Sequence, residues 1–215
     1  MKKSIVIIVI LFAIIVILIS DKTYRAVDFN ITEIKSSFDC DKDNVDDYTD
    51  ILLGARSDAL KRPKYKSAYY SGGYPPSDEG VCTDLIWRAF KEAGYLLKDM
   101  VSLDIKNNND VYKIEVIDDN IDFRRVNNLK IFFDRNSLNL SLDLKDIASF
   151  QPGDIVTFKT NHIAIISDKR NASGLPYIIH NAGQYQREDN TFKKWVNKYG
   201  LSGHYRMNNT NMCLK

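Results

Sequence analysis

The 215-residue sequence has few cysteines, almost no net charge and a single long hydrophobic run. Three cysteines are too few for a small scaffold that depends on many disulfides. Lysine plus arginine number 30 and aspartate plus glutamate 28, so the basic excess typical of nucleic-acid-binding domains is missing and no nucleic-acid partner is expected. One apolar run excludes a polytopic membrane protein, and a hydrophobic content of 44% excludes a disordered chain.

The apolar run lies at the N-terminus, from Ser4 to Ser20, behind Lys2 and Lys3. It is near the lower limit of length for crossing a hydrocarbon core of about 30 Å. The two lysines should stay in the cytoplasm, which places the rest of the chain outside the cell membrane. No small-residue cleavage site follows the run, so residues 1–20 are predicted to be an uncleaved signal anchor. Secretion after signal cleavage is the alternative.

The rest of the chain is divided into a polar stalk, residues 21–43, and one domain, residues 44–215. Helices are predicted from apolar spacing and stop signals over Val45–Leu60, Cys82–Ala93 and around Asn127–Asn136. Alternating apolar residues predict strands over Ile155–Phe158, His162–Ser167, Pro176–Asn181 and Gly203–Met207, with a hairpin loop over Asp168–Leu175. Helices followed by antiparallel strands indicate an α+β fold.

Cys82 is the one cysteine whose surroundings could activate it. It follows Gly80 and Val81 at the predicted start of a helix, where free N–H groups and partial positive charge stabilise a thiolate. We therefore expect the pKa of this thiol to be lowered. The same N–H groups could form an oxyanion hole. The competing interpretation is a small buried hydrophobic residue between a helix and a sheet.

A cysteine nucleophile needs a base, and the sequence contains only three histidines. His162 opens one predicted strand and His180 lies near the end of the next. If these strands form a hairpin, both histidines lie at the same end of the sheet. One could then act as the base and the other could orient it, as in a cysteine–histidine–polar triad. The spacing alone also fits two half-exposed strand residues.

Four segments follow one another along the chain: Cys82 at a helix start, Pro152-Gly153-Asp154-Ile155-Val156, His162-Ile163-Ala164-Ile165-Ile166 and Ile178-Ile179-His180-Asn181. Their order resembles that of the NlpC/p60 superfamily of papain-like cysteine peptidases and amidases. Within that superfamily the chain resembles the bacterial family called domain of unknown function 1287. The resemblance covers residues 45–207. It rests on Gly73-Tyr74-Pro75-Pro76, Gly80-Val81-Cys82-Thr83-Asp84, Arg88-Ala89, Ile121-Asp122-Phe123-Arg124-Arg125-Val126-Asn127-Asn128-Leu129, Pro152-Gly153-Asp154-Ile155-Val156, His162, His180-Asn181 and Gly203-His204-Tyr205-Arg206.

This resemblance implies a papain-like fold and an amide hydrolase that works through a cysteine thioester. Cys82 would be the nucleophile, His162 the base and His180 the third polar member, with Asn181 as a substitute for it. The implied substrate is a cell-wall stem peptide or a related amide, and no cofactor is expected. An acyltransferase that uses the same thioester and a non-catalytic wall-binding module are the two rival functions.

Five further residues are candidates for substrate binding: Tyr74, Asp84, Arg124, Arg125 and His204. A guanidinium group can bind a carboxylate through two parallel hydrogen bonds, so the two arginines could contact an anionic stem peptide. The competing interpretations are internal salt bridges for the arginines, simple packing for Tyr74 and a structural role for His204.

Metal binding is not expected at either of two places where ligand residues occur. Cys82, His162 and His180 are suitable zinc ligands, but no local pair with short spacing accompanies them. Residues 39–50 contain aspartates spaced like those of a calcium loop. Asn44 replaces the glycine and Asp46 replaces an apolar residue, so a solvated acidic helix start, with Asp43 as its cap, is preferred.

The two remaining cysteines, Cys40 and Cys213, lie near the two ends of the predicted domain. An exported chain could join them in a disulfide, because chain termini often lie close together and oxidising compartments preserve such bonds. This pairing is a hypothesis from position alone.

Overall fold

A computed structural model describes residues 22–183, 186–208 and 213 of the chain. The predicted signal anchor, residues 1–20, lies outside these described residues. Within them, no helix combines the length and the apolar character needed to cross a membrane. The elements below therefore belong to the part of the chain that follows the apolar run.

Six α-helices and eight β-strands form within the described residues. The helices are α1 (Asp47–Lys61), α2 (Cys82–Glu92), α3 (Leu97–Asn107), α4 (Asn109–Tyr112), α5 (Val126–Asn136) and α6 (Phe192–Tyr199). The strands are β1 (Lys64–Tyr65), β2 (Glu79–Gly80), β3 (Ser137–Asn139), β4 (Ile155–Phe158), β5 (His162–Arg170), β6 (Pro176–Asn181), β7 (Gln186–Asp189) and β8 (Gly203–Met207). Two short 3-10 helices accompany them, at Ala26–Phe29 and Asp122–Arg124.

Six of these strands form one antiparallel sheet, in the order β3-β8-β4-β5-β6-β7. The short strands β1 and β2 form a separate parallel pair. Five of the six helices precede strands β4 to β8, which form most of the sheet, and this order confirms the predicted α+β class. In the register of β5 and β6, Ile165 lies opposite Ile179, so the start of β5 lies beside the end of β6.

The central strands are buried on both faces of the sheet. Ile163 and Ile165 of β5 belong to the larger core, which the sheet shares with α1 and α2. The alternate residues Ala164 and Ile166 belong to a second cluster, which Phe192 of α6 covers from the other side. Because side chains alternate along a strand, one strand can serve both cores. This burial fixes the position of the strand ends that carry the histidines.

The elements differ from the predictions mainly at their ends. Helix α1 begins at Asp47, and the Asp46 side chain, rather than that of Asp43, caps it by accepting the Thr49 N–H. Strand β5 continues to Arg170, three residues past its predicted end, because Tyr24 extends its ladder with main-chain bonds of 2.9 and 2.8 Å. The hairpin loop before β6 is correspondingly shorter than predicted.

The segment predicted as a polar stalk contacts the domain at several points of its described part. Besides the Tyr24 bridge, the Ile34 N–H donates to the Gln151 side chain at 3.1 Å. Cys40 and Cys213 form a disulfide with a Cα–Cα distance of 5.4 Å, which confirms the pairing suggested by their positions. The bond joins the N-terminal edge of the domain to a residue near the end of the chain.

Candidate active site

Cys82 is the first residue of α2, as predicted. Val81 before it is extended, and the Asp84 carboxylate accepts the Val81 N–H at 2.7 Å, which caps the helix. The thiol belongs to the larger core together with Ile163, and its residue is only 7% exposed. The nucleophile candidate therefore lies beside the start of β5, directly next to the strand position that follows His162.

The predicted lowering of the thiol pKa is wrong. Burial raises the pKa of Cys82 to about 11, and the charge of Asp84 adds to this effect. Main-chain N–H groups of Ile163, Thr83 and Cys82 itself oppose the shift, so the helix start acts in the expected direction but is outweighed. The thiol is therefore protonated near neutral pH, and its reaction requires a base to take the proton.

This pKa predicts slow alkylation of Cys82 at neutral pH. Because the thiolate is the reactive form, the rate with iodoacetamide should rise about tenfold per pH unit from pH 7 to 10. Cys82 is the free cysteine of the chain, since the other two are bonded to each other, so labelling is followed by the mass of the intact protein. A rate that reaches its plateau below pH 8 would contradict the prediction. A denatured sample, whose thiol titrates normally, is the control.

His162 and His180 lie together, as the hairpin register requires. Nε2 of His162 is 2.9 Å from Nδ1 of His180, and Nε2 of His180 is 3.3 Å from Oδ1 of Asp189 on β7. Thr191 hydrogen-bonds the same Asp189 oxygen. Burial alone would raise the pKa of Asp189, but the bonds from His180 and Thr191 lower it below its usual value. The carboxylate is therefore charged at neutral pH.

The hydrogen-bonded line Asp189–His180–His162, called the histidine line below, assigns the tautomers of both histidines. A carboxylate only accepts, so His180 carries its proton on Nε2 and accepts at Nδ1. His162 then donates from Nε2, which leaves the lone pair on its Nδ1. Among the described residues, that nitrogen has no hydrogen-bond partner. His162 Nδ1 is thus a free proton acceptor at the end of a chain that starts at a carboxylate.

Aromatic packing keeps His162 dry and neutral. The ring of Trp195 stacks on it at a centroid distance of 4.1 Å, and Phe158 lies 6.0 Å away on the neighbouring strand. Burial lowers the pKa of His162 to about 3, and the positive charges that His180 and Arg187 can carry lower it further. At rest near pH 7, the imidazole of His162 is therefore neutral and the thiol of Cys82 is protonated.

Asn181 lies next to His180 in the chain but contacts a different group. Its Nδ2 donates to the Gly80 carbonyl at 3.0 Å, and its buried Oδ1 has no partner among the described residues. The bond ties β6 to the segment that leads into Cys82. His180, not Asn181, is therefore the group that the structure brings to His162.

Asp84 and Arg124, both candidates for substrate binding, are bound to each other. Two Arg124 nitrogens lie 2.7 and 2.9 Å from the two Asp84 oxygens, and both residues are buried. A third Arg124 nitrogen donates to the Ala68 carbonyl. The half-exposed Arg125 side chain lies 3.8 Å from Asp122. The alternative of an internal ion pair thus describes Arg124 in this structure.

Tyr74 and His204 lie in different parts of the molecule. Tyr74 packs on Trp87 at a centroid distance of 4.6 Å and lines a cavity of about 240 Å³. His204 is on β8, two strands from His162 in the sheet. Its ring nitrogens bond the Ser141 carbonyl and the Asp154 carboxylate at 2.8 and 2.9 Å. Both nitrogens are thus occupied within the fold.

The possible zinc ligands do not form a metal-binding group. Among the described residues, ligand atoms of three or more such side chains lie within 4.8 Å of one another only at Asp39, Asp41 and Asp43. Cys82, His162 and His180 are not part of any such group.

Three residues of the site could not be identified from the sequence: Asp189, Thr191 and Trp195.

Comparison with known proteins identifies relatives of the chain. The model of the family described as domain of unknown function (DUF1287) matches residues 52–207. The chain is also similar to "Uncharacterized protein YijF" of Escherichia coli (strain K12), with 34% identity over 152 residues, 67% of this chain and 72% of the relative. No solved structure matches the chain. Cys82, His162, His180 and Asp189 all lie within the matched range.

Proposed function

This chain belongs to the family of domain of unknown function 1287, and we propose that its Cys82 and His162 are the nucleophile and the general base of a cysteine hydrolase. The observation that carries the proposal is the Asp189–His180–His162 line, which leaves a free lone pair on His162 Nδ1. Apolar side chains could fill the same space, so packing alone does not require Asp189, His180 and His162. A carboxylate and two histidines in a hydrogen-bonded line do orient a base.

The proposed reaction is amide hydrolysis through a thioester. Because thiol and imidazole are both neutral at rest, His162 Nδ1 takes the Cys82 proton as Sγ attacks the carbonyl carbon. The imidazolium then gives that proton to the leaving amine, and the amine departs. A water molecule attacks the thioester, His162 takes and returns its proton, and the carboxylic acid and free thiol are released. Main-chain N–H groups at the start of α2 could hold the oxyanion.

The substrate proposed is an amide bond of a peptidoglycan stem peptide. This choice, and the placement in a papain-like fold of the NlpC/p60 type, rest on the resemblance of the motifs. The order of a cysteine on a helix, a histidine on the first strand of a hairpin and a polar residue on the second supports them. The fold alone does not decide the substrate.

The proposed location is the outer face of the cell membrane, with the chain held by residues 1–20. Two lysines before the apolar run support this orientation. The disulfide between Cys40 and Cys213 supports export, because such bonds persist in oxidising compartments. Secretion after signal cleavage would place the domain on the same side of the membrane.

Burial of Cys82 favours a second candidate, a non-catalytic wall-binding module. A thiol that is 7% exposed and protonated at neutral pH is also what a purely structural cysteine would show. This candidate leaves the histidine line without a role. Product analysis separates the binding module from the hydrolase.

The test is digestion of purified peptidoglycan by the full chain in detergent, compared with Cys82→Ala. The wild-type protein alone is expected to release fragments with newly cleaved amides, identified by mass. Adding an amine acceptor separates acyl transfer from hydrolysis, because the acceptor would appear in the product. Sedimentation of both proteins with the wall, without any release, would support the binding module instead.

Asp189→Asn provides a separate test of the histidine line. The amide nitrogen would donate to His180 Nε2, reverse both tautomers and place a proton on His162 Nδ1, where the base is needed. Turnover should fall on the order of 10²- to 10⁴-fold, by analogy with the same change in a serine-protease triad. Thr191→Val, which removes a neighbouring hydrogen bond but keeps the carboxylate, should lose far less. Equal rates for wild type and Asp189→Asn would show that Asp189 does not orient the base.

A further inference from the structure

The segment from Asp39 to Asp50 is a twelve-residue acidic loop that runs into α1. It precedes the region matched by the family model and lies outside the histidine line. Aspartates occupy the first, third, fifth, ninth and twelfth positions, the spacing of a calcium loop. The sequence predicts a solvated acidic helix start here, and the helix does begin within this segment, at Asp47.

The first three aspartates converge. Carboxylate oxygens of Asp39, Asp41 and Asp43 lie within 4.8 Å of one another. Asn44, at the position where calcium loops have glycine, has a φ of 76°. Asparagine adopts this left-handed conformation more readily than most residues, so the objection that glycine is missing no longer holds.

Asp50, at the twelfth position, supplies the independent observation. It is 7% exposed, and its Oδ2 is buried with no hydrogen-bond partner. Asp50 lies one helical turn after Asp47, and the Asp47 carboxylate accepts the Cys40 N–H between Asp39 and Asp41, so Asp50 lies on the face of α1 that meets this loop. A buried carboxylate normally has a partner or binds a metal.

Basic side chains do not neutralise this group. Among the described residues, no lysine or arginine forms an ion pair with any of the four carboxylates, Asp39, Asp41, Asp43 and Asp50; Lys35 pairs with Asp46 instead. Asp47 is held by the Cys40 N–H at 2.8 Å and by the Tyr95 hydroxyl. The ninth position of the loop is therefore fixed in place beside the cluster.

We propose that the converging carboxylates of Asp39, Asp41 and Asp43 bind one calcium ion, and that the unpartnered carboxylate of Asp50 turns toward the ion to complete its ligands. A set of carboxylate oxygens on a loop fits Ca²⁺, which takes six to eight oxygen ligands in flexible geometry. Magnesium demands a stricter octahedron, and zinc prefers nitrogen and sulfur. Bound calcium would join Asp50 of α1 to the loop that carries Cys40, and so reinforce the edge of the domain that the disulfide closes.

The test is thermal unfolding and calorimetric titration of the full chain in detergent, with calcium, magnesium or sodium chloride at equal ionic strength. Single-site calcium binding is expected with a Kd on the order of 10⁻⁴ M, the tighter end of the range for extracellular modules. At about 10 mM calcium the melting temperature should rise by about 5–10 °C. Magnesium should give a smaller rise and sodium none.

Asp50→Asn should remove the calcium-dependent rise and weaken binding at least tenfold. It should melt no lower than wild type in EDTA, because one crowded buried carboxylate is gone. Asp41→Asn, at an exposed position, decides the question if Asp50→Asn fails to fold. Asp110→Asn is the matched control, an exposed aspartate elsewhere, and should respond to calcium as wild type does. Absence of calcium binding by the wild type, or an equal response of all variants, would overturn the proposal.

Discussion

Cys82→Ala is expected to remove all thioester-dependent turnover, and His162→Ala is expected to reduce it by about 10²- to 10⁴-fold. Both losses have the same cause, since the thiol is protonated at rest and His162 Nδ1 is the free proton acceptor of the histidine line. Because the two residues act as one unit, the double variant should be no slower than Cys82→Ala alone. Initial rates of fragment release from peptidoglycan measure all three.

The control for these variants is Trp195→Phe. It keeps an aromatic ring over His162 while changing the residue that stacks on it, and should cost less than about tenfold, since no proton moves through that ring. Melting curves of each variant establish that the fold is intact. Full activity in His162→Ala, with none in Cys82→Ala, would assign the base to another group. Activity in both would remove Cys82 from the chemistry.

Local patterns were sufficient to predict the strands that carry the histidines. β4, β6 and β8 have the predicted bounds because their apolar residues are bounded by clear turns, such as Pro152-Gly153. Because β5 and β6 are consecutive and antiparallel, the meeting of His162 and His180 followed from spacing and connection alone. A register of this kind is set locally.

The elements that the sequence does not predict depend on tertiary contacts. Helix α3 buries Leu97, Val101 and Ile105 at intervals of four, but the charged residues between them hide that spacing. Strand β7 has the sequence Gln-Arg-Glu-Asp, which no strand propensity favours, and it forms because β6 offers an edge. Asp189 was missed for that reason, since its role depends on a strand that its own sequence does not predict.

The sign of the Cys82 pKa shift shows a limit of motif reasoning. The helix start was read from the sequence, and its N–H groups act as expected. Burial depends on how closely α2 packs on β5, which no local pattern reports. Burial, the larger of the two effects on the Cys82 pKa, therefore could not be predicted from the sequence. The same applies to Asp84 and Arg124, whose mutual contact spans 40 residues of chain.

Arg124→Met is expected to lower the free energy of unfolding by about 3–5 kcal/mol. The change leaves the carboxylate of Asp84 fully buried, with the Val81 and Trp87 N–H groups as its remaining partners. An uncompensated buried charge is costly because it has lost its hydration without gaining a counter-charge. Urea unfolding followed by tryptophan fluorescence measures the loss, since Trp87 donates to Asp84 at 2.9 Å.

Arg125→Met is the matched control. The adjacent side chain is half exposed and 3.8 Å from Asp122, so its loss should cost less than about 1 kcal/mol. Asp84→Asn combined with Arg124→Met should recover part of the stability, because the stranded charge is gone. Equal losses for the Arg124 and Arg125 variants would contradict a stabilising buried pair. Asp84 caps the helix two residues after Cys82, so the ion pair also holds the nucleophile in place, and Arg124→Met should lose turnover even where it remains folded.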